Sequence, residues 1–548
     1  MASVSYINER VPGDKYDVSL TADVLVIGGG PAGCWAGLAA AHTGAKVVLV
    51  DKGYVGTSGT QVAAGTNAYH NIPTDPVQRE GMISSRLPLA FGFADLEWIE
   101  KVYDQSFRGL DLMARWGYAF PKATDGREKR GNLRAADGIM FLRWQLEKAG
   151  VTILDHSPSL ELLVSDGVAA GAVGVNRKKG GTWIVRAGAV VLATGGTAFR
   201  SGIAGGHNNT GDGYLFAAEA GAEFSGMEFS SQWAIVPKGS ACSKTAVYGS
   251  ATMTDANGQE VARGKGTTIA EIETGHLFVK LDKFTDQGRR MMQASQPHTF
   301  EYFWRHAKID PFTETYECEH LLEGTIRASG GIAVGSGSAT TVPGLYAAGD
   351  TTSREKLVGA AQSGAGPATA WAIASGSWAG HFAYAFAQRF GNSLESRKVK
   401  AVGGAGLRPQ EKTRDDLRAI DIEHAIQREM LPVATNYRRN EETMTKSLAV
   451  ADAQWKALRQ NLGVDESLTG ADLARAQVKA REAAAMVASA RIILNAGLER
   501  KESRGLHRRS DYGTLDPNQH QHVIASGVDT ITIRRKPVVN SYLEKVAS

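Results

Sequence analysis

Short apolar runs rich in β-branched residues recur along the chain, and several of them lead into glycine. The first, Val24-Leu25-Val26-Ile27, runs into Gly28-Gly29-Gly30-Pro31-Ala32-Gly33. A run that is apolar at every position predicts a parallel strand buried on both faces. The Ala-rich segment Cys34 to Thr43 predicts a helix, and Lys46-Val47-Val48-Leu49-Val50 a second strand ending in Asp51 and Lys52. Two later runs repeat the design. Residues 189–196 read AVVLATGG and place Ala193-Thr194-Gly195 behind a strand; residues 341–350 read TVPGLYAAGD and end in Gly349-Asp350. Far downstream the period changes. Leu473, Ala476, Ala480, Ala483, Val487, Ala490, Leu494 and Leu498 recur at three- and four-residue spacing, behind a Thr469-x-x-Asp472 capping box. That stripe predicts an amphipathic helix whose apolar face is bundle core.

Composition adds one clue to this α/β pattern. The 548 residues include 63 glycines but only 16 prolines, without a G-X-Y period or a Gly/Ser run. The excess points to close backbone approaches and positive-φ positions, not to collagen or linker. The net charge of +4 is small and no long basic block stands out, so nucleic acid is not an expected partner. Cys34, Cys242 and Cys318 lie far apart, which argues against a metal site, an iron–sulfur cluster or a disulfide framework within the chain. Residues 1–23 have no apolar signal core, and no stretch of about 18 apolar residues occurs. A cytoplasmic protein without a membrane segment is the expectation.

Strand, glycine turn, helix, strand and terminal acid follow in the order a dinucleotide fingerprint requires. Gly28 permits the tight turn, Gly30 lets the backbone approach a pyrophosphate, and Gly33 allows close helix–strand packing. The helix N-terminus offers N–H groups to phosphate oxygens, and Asp51 is placed to accept from ribose hydroxyls.

The ordered trio of strands resembles two-dinucleotide-fold flavoproteins, in which the last acid, here Asp350, meets the ribityl or pyrophosphate portion of FAD. Further segments narrow the resemblance. Asn209-Thr210-Gly211-Asp212-Gly213, Ala328-Ser329-Gly330-Gly331-Ile332 and Glu502-Ser503-Arg504-Gly505-Leu506-His507-Arg508-Arg509-Ser510-Asp511 resemble segments of the fumarate reductase/succinate dehydrogenase flavoprotein family. That family includes L-aspartate oxidase and the α subunit of adenylylsulfate reductase. The resemblance implies a two-dinucleotide-binding-type FAD domain from residues 18–224 and 325–390, with an α+β capping domain at 225–324 inserted. A linker at 391–413 and a C-terminal helical domain and tail at 414–548 follow.

At the positions that carry the family's chemistry the sequence departs. Within Ser58-Gly59-Thr60-Gln61-Val62-Ala63-Ala64-Gly65, Gly59 stands where many members bond FAD through histidine, so FAD is expected to be non-covalent. Ser58, Thr60 and Gly65 remain candidates to line it. Ile326 replaces the histidine, and Gln362 the arginine, with which dicarboxylate-handling members hold their substrate. Losing a bidentate clamp is not conservative. The adenylylsulfate reductase branch keeps a histidine where Gly366 stands here. The small-residue loop into Pro367 and Ala368 still suits aiming N–H groups at the flavin.

Candidates for the chemistry are then Arg327, Tyr248, His276, Gln362 and Trp233, the last able to stack on a planar substrate, with Asn67 and His70 near the same cavity. The implied activity is hydride exchange between flavin N5 and a small organic substrate under a closing cap. Two alternatives stay open: a flavoprotein subunit served by a ferredoxin-like iron–sulfur partner, and a flavin-binding scaffold without activity. A homo-oligomer is compatible with either.

Overall fold

The computed structural model describes residues 16–67, 75–122, 125–243, 247–262, 265–361, 365–411, 413–414, 416–465 and 467–539. His70 and Gln362 lie outside the described residues. An eight-stranded sheet organises the cofactor-binding part. Its order is Lys400–Ala401, Ser159–Ser165, Val168–Val175, Thr182–Leu192, Val18–Ile27, Val47–Val50 and Thr152–Leu154, with Leu345–Ala347 also paired to Thr182–Leu192. The long strand Thr182–Leu192 serves two neighbours on one side. Its first half pairs antiparallel with Val168–Val175, and its last residues pair parallel with Leu345–Ala347. Val18–Ile27, Val47–Val50 and Thr152–Leu154 run parallel to it. Val24, Leu25, Val26, Val48, Leu49, Val190 and Val191 are buried, as strands covered on both faces require.

Parallel strands bring their carboxyl ends to one edge, where open α/β sheets bind ligands. Gly28, Asp51, Ala193 and Ala348 follow four of these strands directly. Helix Pro31–His42 leaves the first turn and packs on Ala365–Ala387. A Cβ at Gly380 would lie 2.0 Å from the Ala36 carbonyl oxygen, so this helix pair closes to backbone contact.

The insert forms its own antiparallel sheet, ordered Gln232–Pro237, Tyr316–Gly324, Leu277–Lys280, Thr252–Thr254. Its core includes Met253, Leu277, Val279, Phe300, Phe303 and Tyr316. Helices Ala419–Met430, Glu441–Asn461 and Gly470–Glu499 build the C-terminal part. The predicted stripe is a partial description of the last of these, because Ala483 to Ile493 are buried at every position. A helix enclosed on all sides carries charge only in pairs: Arg481 bonds Glu219, and Arg491 bonds Asp452 at 2.6 Å. Thr469 makes no capping hydrogen bond, and Asp472 pairs with Arg475 instead; the capping box is formed at Asn440 and Thr443.

Two further features depart from the expected plan. Within 391–413, read as a linker, Lys400–Ala401 joins the main sheet against Ser159–Ser165. The tail adds a hairpin, Gln521–Ser526 with Thr532–Pro537, which pairs with Phe224–Ser225 at the root of the cap.

Candidate functional site

The carboxyl edge of the sheet opens into a cavity of about 530 Å³. Residues at Gly28, Gly30, Pro31, Ala32, Asp51, Lys52, Ser58, Gly59, Thr60, Ala193, Thr194, Gly195, Asp212, Gly349, Asp350 and Ala368 line it, as does Arg327. Gly33 and Pro367 are not part of this wall. Gly33 lies behind it, where a Cβ would meet the Gly28 carbonyl oxygen at 1.8 Å. Gly65 begins a strand, Gly65–Asn67, paired with Asn132–Arg134.

The glycine turn is shaped for close approach. Gly28 has φ +110°, and a Cβ there would stand 2.3 Å from the Ala193 carbonyl oxygen. Gly30 caps the following helix at φ −71°, with Pro31 at the first helical position, which leaves the N–H groups of the first turn turned to the cavity. Asp51 fixes the loop around this turn. Its Oδ2 accepts from the Gly29 N–H at 2.7 Å, and its Oδ1 accepts from the Gly53 N–H and the Ser58 hydroxyl, each at 2.6 Å. The acid expected to meet ribose is thus also the knot that ties the glycine turn to the Ser58 loop.

Lys52 forms the floor beside it. Its Nζ donates to Thr210 Oγ1 at 3.1 Å, Asp212 Oδ2 at 2.7 Å and Glu482 Oε1 at 2.9 Å. Glu482 comes from the buried C-terminal helix and also bonds Arg200. Burial alone would depress the ammonium, but the Asp212 and Glu482 carboxylates outweigh it and hold the Lys52 pKa above the ordinary lysine value. Burial would likewise raise Glu482, and Lys52 and Arg200 reverse the sign and lower it.

At the other end, Arg327 occupies a left-handed backbone conformation, φ +56°, uncommon for a residue with a side chain. Its guanidinium bonds Glu323, Nε to Oε2 at 3.1 Å, and Glu323 is fully buried and also accepts from Gln232 Nε2 at 3.3 Å. Ile326, beside Arg327, is fully buried and packs with Ala198, Ile203 and Leu321.

The remaining chemical candidates are placed elsewhere. Trp233 is buried on the first strand of the cap sheet, its indole N–H donating to Ser231 Oγ at 3.0 Å. Tyr248 sits in the cap core and accepts from Cys318 Sγ at 3.8 Å; burial, then Cys318 and Tyr316, push its pKa well up. His276 is on the cap surface, its Nδ1 against Glu317. None of these three residues lines the cavity: Trp233 is packed on a cap strand, Tyr248 on a short turn in the cap core, and His276 is exposed immediately before a cap strand. Cys34 lies behind the glycine turn, where burial pushes its thiol up to about 12.

Other wall residues follow strand Thr152–Leu154, whose short run gave little signal. The His156 N–H donates to the Gly53 carbonyl at 2.6 Å and the Ser157 N–H to that of Asp51 at 2.7 Å. His156 Nδ1 and Ser159 Oγ are buried without a hydrogen-bond partner among the described residues, and both residues line the cavity. Buried polar atoms need partners, and a dinucleotide supplies acceptors and donors along such a wall. Glycine cradle, helix N-terminus, fixed acid and orphaned polar atoms together fit FAD.

Among the described residues no group of His, Cys, Asp or Glu is arranged to hold a metal ion, and no helix is long and apolar enough to cross a membrane. The FAD binding domain family matches residues 23–367, and the fumarate reductase flavoprotein C-terminal family matches 424–547. L-aspartate oxidase of Streptomyces coelicolor is 27% identical over 61% of this chain and 63% of its own length. The chain therefore spans just under two thirds of that relative. The fumarate reductase flavoprotein subunit of Haemophilus influenzae is 24% identical over 92% of both chains. Among solved structures, an E. coli quinol fumarate reductase superposes with a TM-score of 0.79 at 20% identity, covering 96% of this chain and 98% of the other. Adenylylsulfate reductase from Archaeoglobus fulgidus gives 0.72 at 19%, covering 96% and 99%. The chain belongs to the FAD binding domain family, whose members related to it here, fumarate reductase flavoproteins and L-aspartate oxidases, are FAD-dependent oxidoreductases.

Proposed function

We propose that the protein oxidises or reduces a small organic substrate that is not a dicarboxylate, with FAD bound non-covalently. The observation that carries this reading is Ile326, fully buried among Ala198, Ile203 and Leu321. The side chain at that position is packed behind the cavity wall and offers a substrate carboxylate neither a hydrogen-bond donor nor a charge. FAD, when bound, supplies the two-electron centre. The chain supplies the rest. Gly28–Gly33, Asp51 and Lys52 hold the dinucleotide end, and Arg327, steadied by buried Glu323, presents positive charge to the other end of the cavity. There it would orient an electron-rich substrate group and stabilise charge developing on it.

The test is anaerobic mixing of the holoenzyme with succinate, malate and aspartate, and separately with a panel of neutral alcohols, ketones and amines. Loss of the flavin's visible absorbance with a neutral compound, and none with the dicarboxylates, supports the reading. Bleaching by succinate at a family-like rate overturns it.

A second reading, in which a separate iron–sulfur protein exchanges electrons with the chain, is favoured by the match to adenylylsulfate reductase along nearly its whole length. Purification from the native source, followed by a search for iron–sulfur absorbance in the same peak, distinguishes it.

A further inference from the structure

Arg354 is one of the largest fully buried side chains among the described residues, at 1% exposure, and its surroundings are unusual for a buried cation. Its Nη1 donates to Asp350 Oδ1 and its Nη2 to the Ala328 carbonyl oxygen, both at 2.5 Å. Its own N–H donates to the Ser329 carbonyl at 2.7 Å. Nε has no partner among the described residues. The neighbouring acid, Glu355, is engaged by His522 Nδ1 at 3.0 Å and Ser353 Oγ at 3.1 Å. Asp350 is therefore the carboxylate this guanidinium holds.

Asp350 lines the cofactor cavity, and its side chain stays 19% exposed there. Ala328 follows Arg327, which lines the same cavity. A third tie crosses the gap: the Tyr214 hydroxyl bonds the Asp350 carbonyl at 3.2 Å and Thr325 Oγ1 at 3.1 Å. Burying a guanidinium is costly unless it is paired, and a neutral side chain would join two turns at less expense. What a planar, forked cation adds is direction. Its planar fork fixes one carboxylate rotamer and a second acceptor in a set geometry, a direction that the freely rotating ammonium of lysine does not impose.

We propose that Arg354 is a positioning residue of the cofactor site, fixing the Asp350 carboxylate toward bound FAD and tying to it the turn that carries Arg327. The proposal rests on Asp350 contacting FAD, and the experiment separates the two claims.

FAD affinity is measured by fluorescence titration of apo-protein for wild type, D350N, R354M, R354K and D350N/R354M, with the melting temperature of each apo-protein recorded alongside. R354M should weaken FAD about tenfold or more, R354K should recover part of the loss, and D350N/R354M should bind no worse than the weaker single variant, because the two groups act as one unit. Wild-type affinity in R354M, or losses that add in the double variant, would overturn the proposal. So would a lowered apo-protein melting temperature with unchanged affinity, the signature of a purely structural link. An unchanged affinity in D350N would instead remove the assignment of Asp350 on which it rests. Should R354M not fold, R354K with D350N and D350N/R354K completes the same cycle.

Discussion

Gly28 and Gly30 are two residues apart in one turn, and replacing them should break different things. Gly30 has φ −71° and ψ −179°, a conformation open to any residue. The nearest atom to an added Cβ is Gly59 Cα at 3.6 Å, with the Ser58 carbonyl oxygen at 4.0 Å. A side chain there meets no protein atom closely and occupies the space between the helix N-terminus and the Ser58 loop. Restricting the unfolded chain should add about 0.4–1 kcal/mol to apo-protein stability, offset by a similar loss of N-cap preference. Binding is another matter. A phosphate displaced from the helix N-terminus forfeits charge-assisted hydrogen bonds worth about 1.5–3 kcal/mol each. Two such bonds correspond to about a hundredfold or more in Kd at ~1.4 kcal/mol per decade. Gly28 is the opposite case. With φ +110° and a Cβ 2.3 Å from the Ala193 carbonyl oxygen, Gly28→Ala combines backbone strain and overpacking, on the order of 2–6 kcal/mol. Urea unfolding of the apo-proteins and FAD titration followed by flavin fluorescence read the two quantities separately. Gly30→Val should unfold at the wild-type midpoint and bind FAD at least about a hundredfold more weakly, whereas Gly28→Ala should lose apo-protein stability. FAD binding by Gly30→Val within about threefold of wild type would refute the path assigned to the dinucleotide.

Three other outcomes are expected. Heat or acid denaturation should release all flavin into the supernatant, because Gly59 has no side chain to bond it; colour in the pellet would contradict this. Glu482→Gln, which breaks a buried pair with Lys52 and Arg200, should cost about 3–5 kcal/mol in urea unfolding. The wild-type contribution has a defined pH window. The lowered Glu482 pKa gives stability that is present above the ordinary carboxyl range and fades as pH falls through the folded value. The raised Lys52 pKa gives stability that is present below the ordinary lysine range and fades as pH rises through the folded value. Unfolding midpoints measured across pH should therefore be flat between about 5 and 10 from this source, with the acid-side fall missing in Glu482→Gln. Arg327→Met leaves the Glu323 carboxylate buried without its guanidinium and should destabilise by about 3–5 kcal/mol, while E323Q/R327M recovers at least half of it; equal midpoints for the two variants would argue against the pair.

The sheet was legible because its parallel strands are apolar at every position and end in residues of distinctive type: Gly28, Asp51, Ala193 and Gly349. Strand ends with weak chemistry, such as that before His156, left no comparable mark. The C-terminal hairpin leaves a fainter mark: Ile531 and Ile533 alternate with Thr530 and Thr532 over only four residues, too short a period to specify a strand and its partner. Long-range placement is the harder limit. Tyr248, His276 and Trp233 belong to the cap by sequence, but whether each turns inward, outward or toward a neighbouring strand depends on pairings such as Trp233 with Leu322, which no local pattern specifies. Arg327 is beside the conspicuous Gly330-Gly331 turn and lines the cavity. Its partner Glu323 and the buried Arg354 carry no motif; their roles exist only once the two turns they join have met.

The strand Leu345–Ala347, and with it Gly349 and Asp350, reaches the sheet only after the chain has left to build the cap and returned. A nascent chain that has just emerged through Thr194 owns the whole glycine turn and two flanking strands, yet lacks one wall of the cavity. FAD bound at that stage would lack the Gly349–Asp350 wall, so its full stabilising effect is available only after the insert has been synthesised. Synthesis order places the last wall of the cavity after the insert, which leaves this side of the sheet incomplete for the time it takes to translate residues 195–350. Through that interval the apolar end of Thr182–Leu192 is an unpaired edge, the point at which a slow or misfolded cap would divert the chain toward aggregation rather than toward a flavin-free but otherwise finished protein.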